Sequence, residues 1–107
     1  MRNISVLLLA SVLILSAASL AFAADAQTVN GWVTDSKCGV KGAHAGGEAC
    51  AKKCIEAGAA MVVVTDTDQK VLTVKNPEAL KGHEGHHMAV TGQIEGDTIH
   101  VDSGKML

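Results

Sequence analysis

The sequence predicts a small, mainly β domain: a five-stranded OB-like barrel with a short helix inserted after the first strand. Three observations predict it. Apolar and polar residues alternate along several short segments, as they do on half-buried strands. Gly, Asp and Asn turns punctuate those segments. One segment, residues 48–57, instead carries the spacing of a helix, and five strands with a short helical connector between the third and fourth match the order of an OB-type barrel.

The chain opens with Met1-Arg2-Asn3, an apolar run over residues 4–20, and Ala21-Phe22-Ala23, a small-x-small cleavage pattern. This reads as a secretory signal peptide over residues 1–23. Serines at 5, 11, 16 and 19 interrupt the run, whereas a membrane-spanning helix needs about 20 consecutive apolar residues. No cysteine lies near the cleavage pattern, so no lipid anchor is expected and the product is read as periplasmic or secreted. Residues 24–107 then form a single domain of 84 residues, a size at which a hydrophobic core alone is marginally stabilising and a cross-link matters.

Residues 28–35 form the first strand, with Val29, Gly31 and Val33 on one side and Asn30, Trp32 and Thr34 on the other. In the helix over 48–57, Ala51 and Ile55 share a face with Cys50 and Cys54. Lys52, Lys53 and Glu56 face outward there, and Gly58 supplies the stop. Residues 59–65 contain the β-branched run Val62-Val63-Val64, and residues 71–74 form a second run across the turn Asp66-Thr67-Asp68-Gln69, giving a hairpin. Asn76-Pro77 starts a short helical connector that Gly82 ends. Met88, Val90, Gly92 and Ile94 alternate with Ala89, Thr91 and Gln93, Gly96-Asp97 turns the chain, and Ile99 and Val101 return it as a second hairpin.

Gly31-x-Val33-x-Asp35-x-x-Cys38-Gly39, Cys50-x-x-x-Cys54 and the closing Val90-Thr91-Gly92 before Gly96-Asp97-x-Ile99 resemble a family of small exported bacterial OB-fold-like proteins of uncharacterised function. The resemblance covers nearly all of residues 24–107. It implies the fold and the export route and brings no activity with it.

Every cysteine lies between positions 38 and 54. Three cysteines in an exported chain do not all pair within one molecule. Cys50 and Cys54 stand four apart on the helix, where side chains run parallel, so a disulfide joins Cys38 to Cys50 or Cys54 more easily than it joins those two. Closing such a loop stabilises a small fold by about 3 kcal/mol. The competing reading uses all three thiolates with His44, as Cys38-x5-His44-x5-Cys50-x3-Cys54, the Cys3His set that a tetrahedral zinc site takes and that also suits Cu(I). A third reading, thiol redox chemistry at Cys50 or Cys54, departs from the C-x-x-C spacing of thioredoxin-like sites.

His83-Glu84-Gly85-His86-His87 spells the H-E-x-x-H of zinc proteases. That motif requires one continuous helix, and Gly82 and Gly85 interrupt it here, so no catalytic site is expected. In strand register His86 points with Met88 and Val90 while His87 points the other way. The histidines read as a solvated turn, with a weak surface Cu(II), Ni(II) or Zn site as the alternative. Trp32 reads as cover for the barrel surface, with a stacking platform for a ligand as its other reading.

Beyond the signal segment, eight lysines face eleven carboxylates, a net charge of −3 with neutral histidines, and Trp32 is the sole aromatic other than histidine. Single-strand nucleic-acid binding wants aromatic platforms in a basic groove, so nucleic acid is excluded as a partner. The expected function is a non-catalytic exported binding or structural domain with its cysteine loop closed by a disulfide or a metal, meeting a protein or small ligand. The alternative is a periplasmic Zn- or Cu-binding or thiol-redox protein using Cys38, His44, Cys50 and Cys54.

Overall fold

The computed structural model describes residues 25–107; the expected signal segment at 1–23 lies outside them. Five strands, β1 (Gln27–Asp35), β2 (Met61–Thr65), β3 (Val71–Val74), β4 (His87–Glu95) and β5 (Thr98–Met106), accompany one helix, α1 (Glu48–Glu56). Two 3-10 turns lie at Gly39–Gly42 and Pro77–Leu80. The strands close into a ring in the order β1-β2-β3-β5-β4. Closure works because β1 pairs antiparallel on both edges, with β2 (Val33↔Val63) and with β4 (Val29↔Val90). The circuit is completed by a short parallel junction of β3 with β5, at Thr73↔Thr98 and Val74↔Ile99. The expected five-stranded ring with a short helix after its first strand is therefore the observed architecture. Among the described residues, no helix is long and apolar enough to cross a membrane.

The core is aliphatic. Val33, Val63, Leu72, Leu80, Met88, Val90, Ile99 and Val101 are buried together, supplied by all five strands and the second 3-10 turn, with Val29, Ile55 and Ile94 packed at its margins. All five residues of β2 are buried, which explains its unbroken Val62-Val63-Val64 run: its outer face packs under the first 3-10 turn. On β4 the buried residues alternate with half-buried ones, as expected for a strand with one face to the core.

Two features differ from the expected elements. β5 runs on to Met106, because Ser103, Gly104, Lys105 and Met106 pair with the first half of β4. Those residues are exposed and carry no apolar alternation to reveal a strand. The β4–β5 ladder also slips one residue between Thr91 and Gly92, and a Cβ on Gly92 would lie 2.1 Å from the His100 carbonyl oxygen. Gly92 thus permits the bulge that lets the long hairpin curl around the core.

Asn76 does more than begin a helical turn. Its side-chain Nδ2 donates to the Val101 carbonyl at 2.8 Å and its Oδ1 accepts from the Val101 amide at 2.8 Å, so one side chain substitutes for a neighbouring strand and ties the β3–β4 connection to β5. Asn76→Ala strips both partners from the buried Val101 backbone and is expected to destabilise the domain by about 1–3 kcal/mol, and Asn76→Asp, which keeps the acceptor but sets an oxygen against the Val101 carbonyl, is expected to lose a similar amount. Urea unfolding of the two variants measures both losses; equal midpoints for wild type and Asn76→Ala would refute the tie.

Candidate metal centre

The centre begins at the end of β1. Asp35 is fully buried there, and its Oδ2 accepts from the amides of Lys37 and Cys38, each at 3.0 Å, while its Oδ1 accepts from the Thr34 hydroxyl at 3.4 Å. A carboxylate taking the amides two and three residues on makes a tight turn, and this turn fixes where Cys38 leaves the strand. Ser36 braces it from the other side: its amide donates to the Ala60 carbonyl at 2.9 Å, and its hydroxyl accepts from the Ala60 amide at 3.2 Å.

α1 supplies the other two sulfurs. It is nine residues long, and its N-cap, Gly47, makes no side-chain cap bond, so local propensity alone holds it weakly. Burial of Ala51 and partial burial of Ile55 dock it on β1, and the same rotational setting leaves Cys50 exposed and Cys54 half-buried toward Cys38.

One sulfur from each of Cys38, Cys50 and Cys54 lies within 4.8 Å of the others, and the Cys38 and Cys50 Sγ atoms are 3.6 Å apart. Sulfurs bound at about 2.3 Å to one tetrahedral zinc stand roughly 3.8 Å from each other, so the group has the dimensions of a metal centre. All three cysteines are free and no disulfide is formed. Of the two pairings expected for a disulfide, the observed thiol contact is that of Cys38 with Cys50.

The Cys38 and Cys54 thiols are not activated. Contact with the Cys50 thiol, then desolvation and the Asp35 carboxylate, push the Cys38 thiol up to about 11, and desolvation followed by the Cys50 contact raises Cys54 as well. Low-pKa thiolates of the redox-catalytic kind need an electropositive setting, which a neighbouring thiol and a buried carboxylate do not provide. Beside Cys54 a cleft of about 410 Å³, lined by Lys37, Lys53, Cys54, Ala57 and Ala59, leads to solvent.

His44 lies outside the group of three sulfurs. Its Nδ1 accepts from the Gly46 amide at 3.1 Å, and its carbonyl accepts from the Gly47 amide at 3.0 Å, so the imidazole is engaged within its own turn.

The second histidine cluster divides. Residues 81–86 are turns and β4 begins at His87, so the H-E-x-x-H letters do not lie on a helix. His87 stacks on Trp32, with ring centroids 4.5 Å apart and 11° between planes, and its Nε2–H donates to Asp66 Oδ2 at 2.6 Å. Trp32 is accordingly half-buried under a histidine. Sequence reasoning missed this stack, although Trp32 and His87 are direct partners in the β1–β4 register. His86 turns instead to α1, where its Nε2–H donates to Glu48 Oε1 at 3.2 Å, and its Nδ1 lies 3.4 Å from His83 Nδ1. Gly85 makes this approach possible. It adopts φ +81°, its amide donates to the Val33 carbonyl at 2.6 Å, and a Cβ on it would lie 2.2 Å from the Glu48 Cα.

The chain matches no family model, no curated protein and no solved structure, and the centre is read from its own geometry.

Replacing Asp35 with Ala removes the acceptor of two turn amides. The expected result is a loss of about 1–3 kcal/mol in stability, together with weaker metal binding because Cys38 is no longer aimed at α1. Chemical denaturation and a metal titration of the same variant check it; unchanged values in both would mean that Asp35 does not position Cys38.

Proposed function

We propose that the protein is an exported, non-catalytic binding module that holds one thiophilic metal ion, Zn(II) or Cu(I), on Cys38, Cys50 and Cys54. The observation that carries this reading is the convergence of the three sulfurs from two separate elements to within 4.8 Å of one another, close to the spacing that one ion imposes on its ligands. Soft thiolates suit both metals. Three sulfurs leave a fourth tetrahedral position, for which His44 is the chain's own candidate after release from the Gly46 amide, and water the alternative. Export rests on the apolar run and the Ala21-Phe22-Ala23 pattern, and on the resemblance to small exported OB-fold-like proteins. In that compartment a barrel of this kind presents its cysteine loop to a partner protein or a small ligand.

Oxidation of Cys38 and Cys50 to a disulfide, leaving Cys54 as a thiol, is the second reading, favoured by their 3.6 Å separation. Bond formation draws the sulfurs in to about 2.05 Å and requires an external oxidant to take two electrons, with both thiol protons released.

Serine substitutions separate the two. Under the metal reading each of Cys38→Ser, Cys50→Ser and Cys54→Ser lowers zinc affinity in a competitive chelator titration. Under the disulfide reading the first two cost similar stability, about 3 kcal/mol, and Cys54→Ser costs little. Non-reducing mass spectrometry adds a direct readout, a chain two hydrogens lighter or a chain with metal on three thiols.

The pH dependence follows from the raised thiols. Binding takes place through thiolates, while Cys38, at about 11, and Cys54 are held as thiols at neutral pH, so the metal displaces protons. Affinity therefore rises with pH across the neutral range, by about tenfold per unit for each thiol proton released. A flat profile between pH 6 and 8 would contradict thiolate ligation.

A further inference from the structure

His83, His86 and Glu48 form a second constellation that the cysteine centre leaves unused. The turn that carries the two histidines is fixed by its backbone: the His83 amide donates to the Leu80 carbonyl, and the His86 amide to the His83 carbonyl, both at 3.0 Å. The rings meet edge to face at 68° and bring their Nδ1 atoms within 3.4 Å of each other. Two nitrogens bound at about 2.05 Å to one tetrahedral ion lie roughly 3.3 Å apart, so the pair already has the separation that such an ion requires. Cis nitrogens on a square-planar ion would stand closer, roughly 2.9 Å, which favours the tetrahedral case.

Glu48 completes the arrangement from the other side of His86. Its carboxylate accepts from the His86 Nε2–H at 3.2 Å and is itself held by Lys52 Nζ at 3.0 Å. That bond assigns the proton of neutral His86 to Nε2 and leaves the Nδ1 lone pair facing His83. A carboxylate on the far nitrogen is the usual outer partner of a metal-bound histidine, where it fixes the ring and strengthens the donor. Both histidines are half-buried, so solvent reaches the remaining coordination positions.

We infer that His83 and His86 bind one tetrahedral divalent cation of the zinc type through their Nδ1 atoms, with Glu48 as the positioning residue behind His86. Two waters fill the other positions. The site differs from the protease motif written in the same letters, because His87 belongs to the Trp32 stack and takes no part. It does not depend on the cysteine centre being a metal site.

Zinc titration of the reduced, full-length protein by calorimetry tests this. The double variant His83→Ala/His86→Ala is expected to bind one zinc fewer per chain than wild type, whether or not the cysteines bind metal, and His87→Ala to bind the wild-type number. Glu48→Gln is expected to weaken this site by 10–100-fold. Nitrogen-15 NMR of the wild type supplies a readout that no variant's folding affects: zinc should shift His83 and His86 at Nδ1 and leave His86 protonated at Nε2. An unchanged stoichiometry in the double variant, an equal loss in His87→Ala, or zinc-insensitive Nδ1 resonances would each overturn the inference.

Discussion

The buried carboxylate of Asp35 is the constraint on which the rest of the centre depends. It stands at the last position of β1 and closes the turn that follows by accepting the Lys37 and Cys38 amides. A buried charge of this kind is tolerated because it is fully engaged, and among the described residues no buried side-chain polar atom lacks a partner. The same carboxylate that aims Cys38 adds to the Cys50 contact and the desolvation that oppose its ionisation. Asp35 thus places the Cys38 sulfur beside the helix while helping to hold it in its protonated, less reactive form.

The helix is the second half of that geometry, and it is weak alone. With no side-chain N-cap and nine residues, it is held from outside: Ala51 and Ile55 press it on the barrel, and the Gly85 turn packs against its first residue. Glu48 takes bonds from Lys52 on its own helix and from His86 across the gap, and these bonds lower its pKa in that order. Cys50, Cys54 and the partner of His86 are therefore carried by one short helix that the barrel holds in place.

How much of this was legible depends on the kind of physics involved. Alternation gave β1 and β4, and helical spacing gave α1, because one-sided burial writes itself into residue order, and Val33, Met88 and Val90 face the core as that order requires. The tail of β5 was silent because residues 103–106 pair through backbone alone and are exposed. The three cysteines were legible as a group from their spacing, whereas the place of His44 was not, since a ring nitrogen bonding its own turn leaves no periodic trace. The Trp32–His87 stack and the Glu48–His86 bond join residues 55 and 38 positions apart, and contacts at such separations are set by the register of the closed ring rather than by any local pattern.

The parallel junction between β3 and β5 has a dynamic consequence. It is the shortest of the pairings in the ring, just Thr73 with Thr98 and Val74 with Ile99, and no hairpin links its two strands. Amide exchange in the native state should concentrate at this seam, which lets the barrel breathe there as a clasp parts before a hinge. The Asp35 turn and α1 sit on β1, which is paired on both edges and lies across the ring from the seam. Fluctuations that admit water to the aliphatic interior would thus leave the sulfur triad in register, so a bound ion need not be released each time the barrel opens.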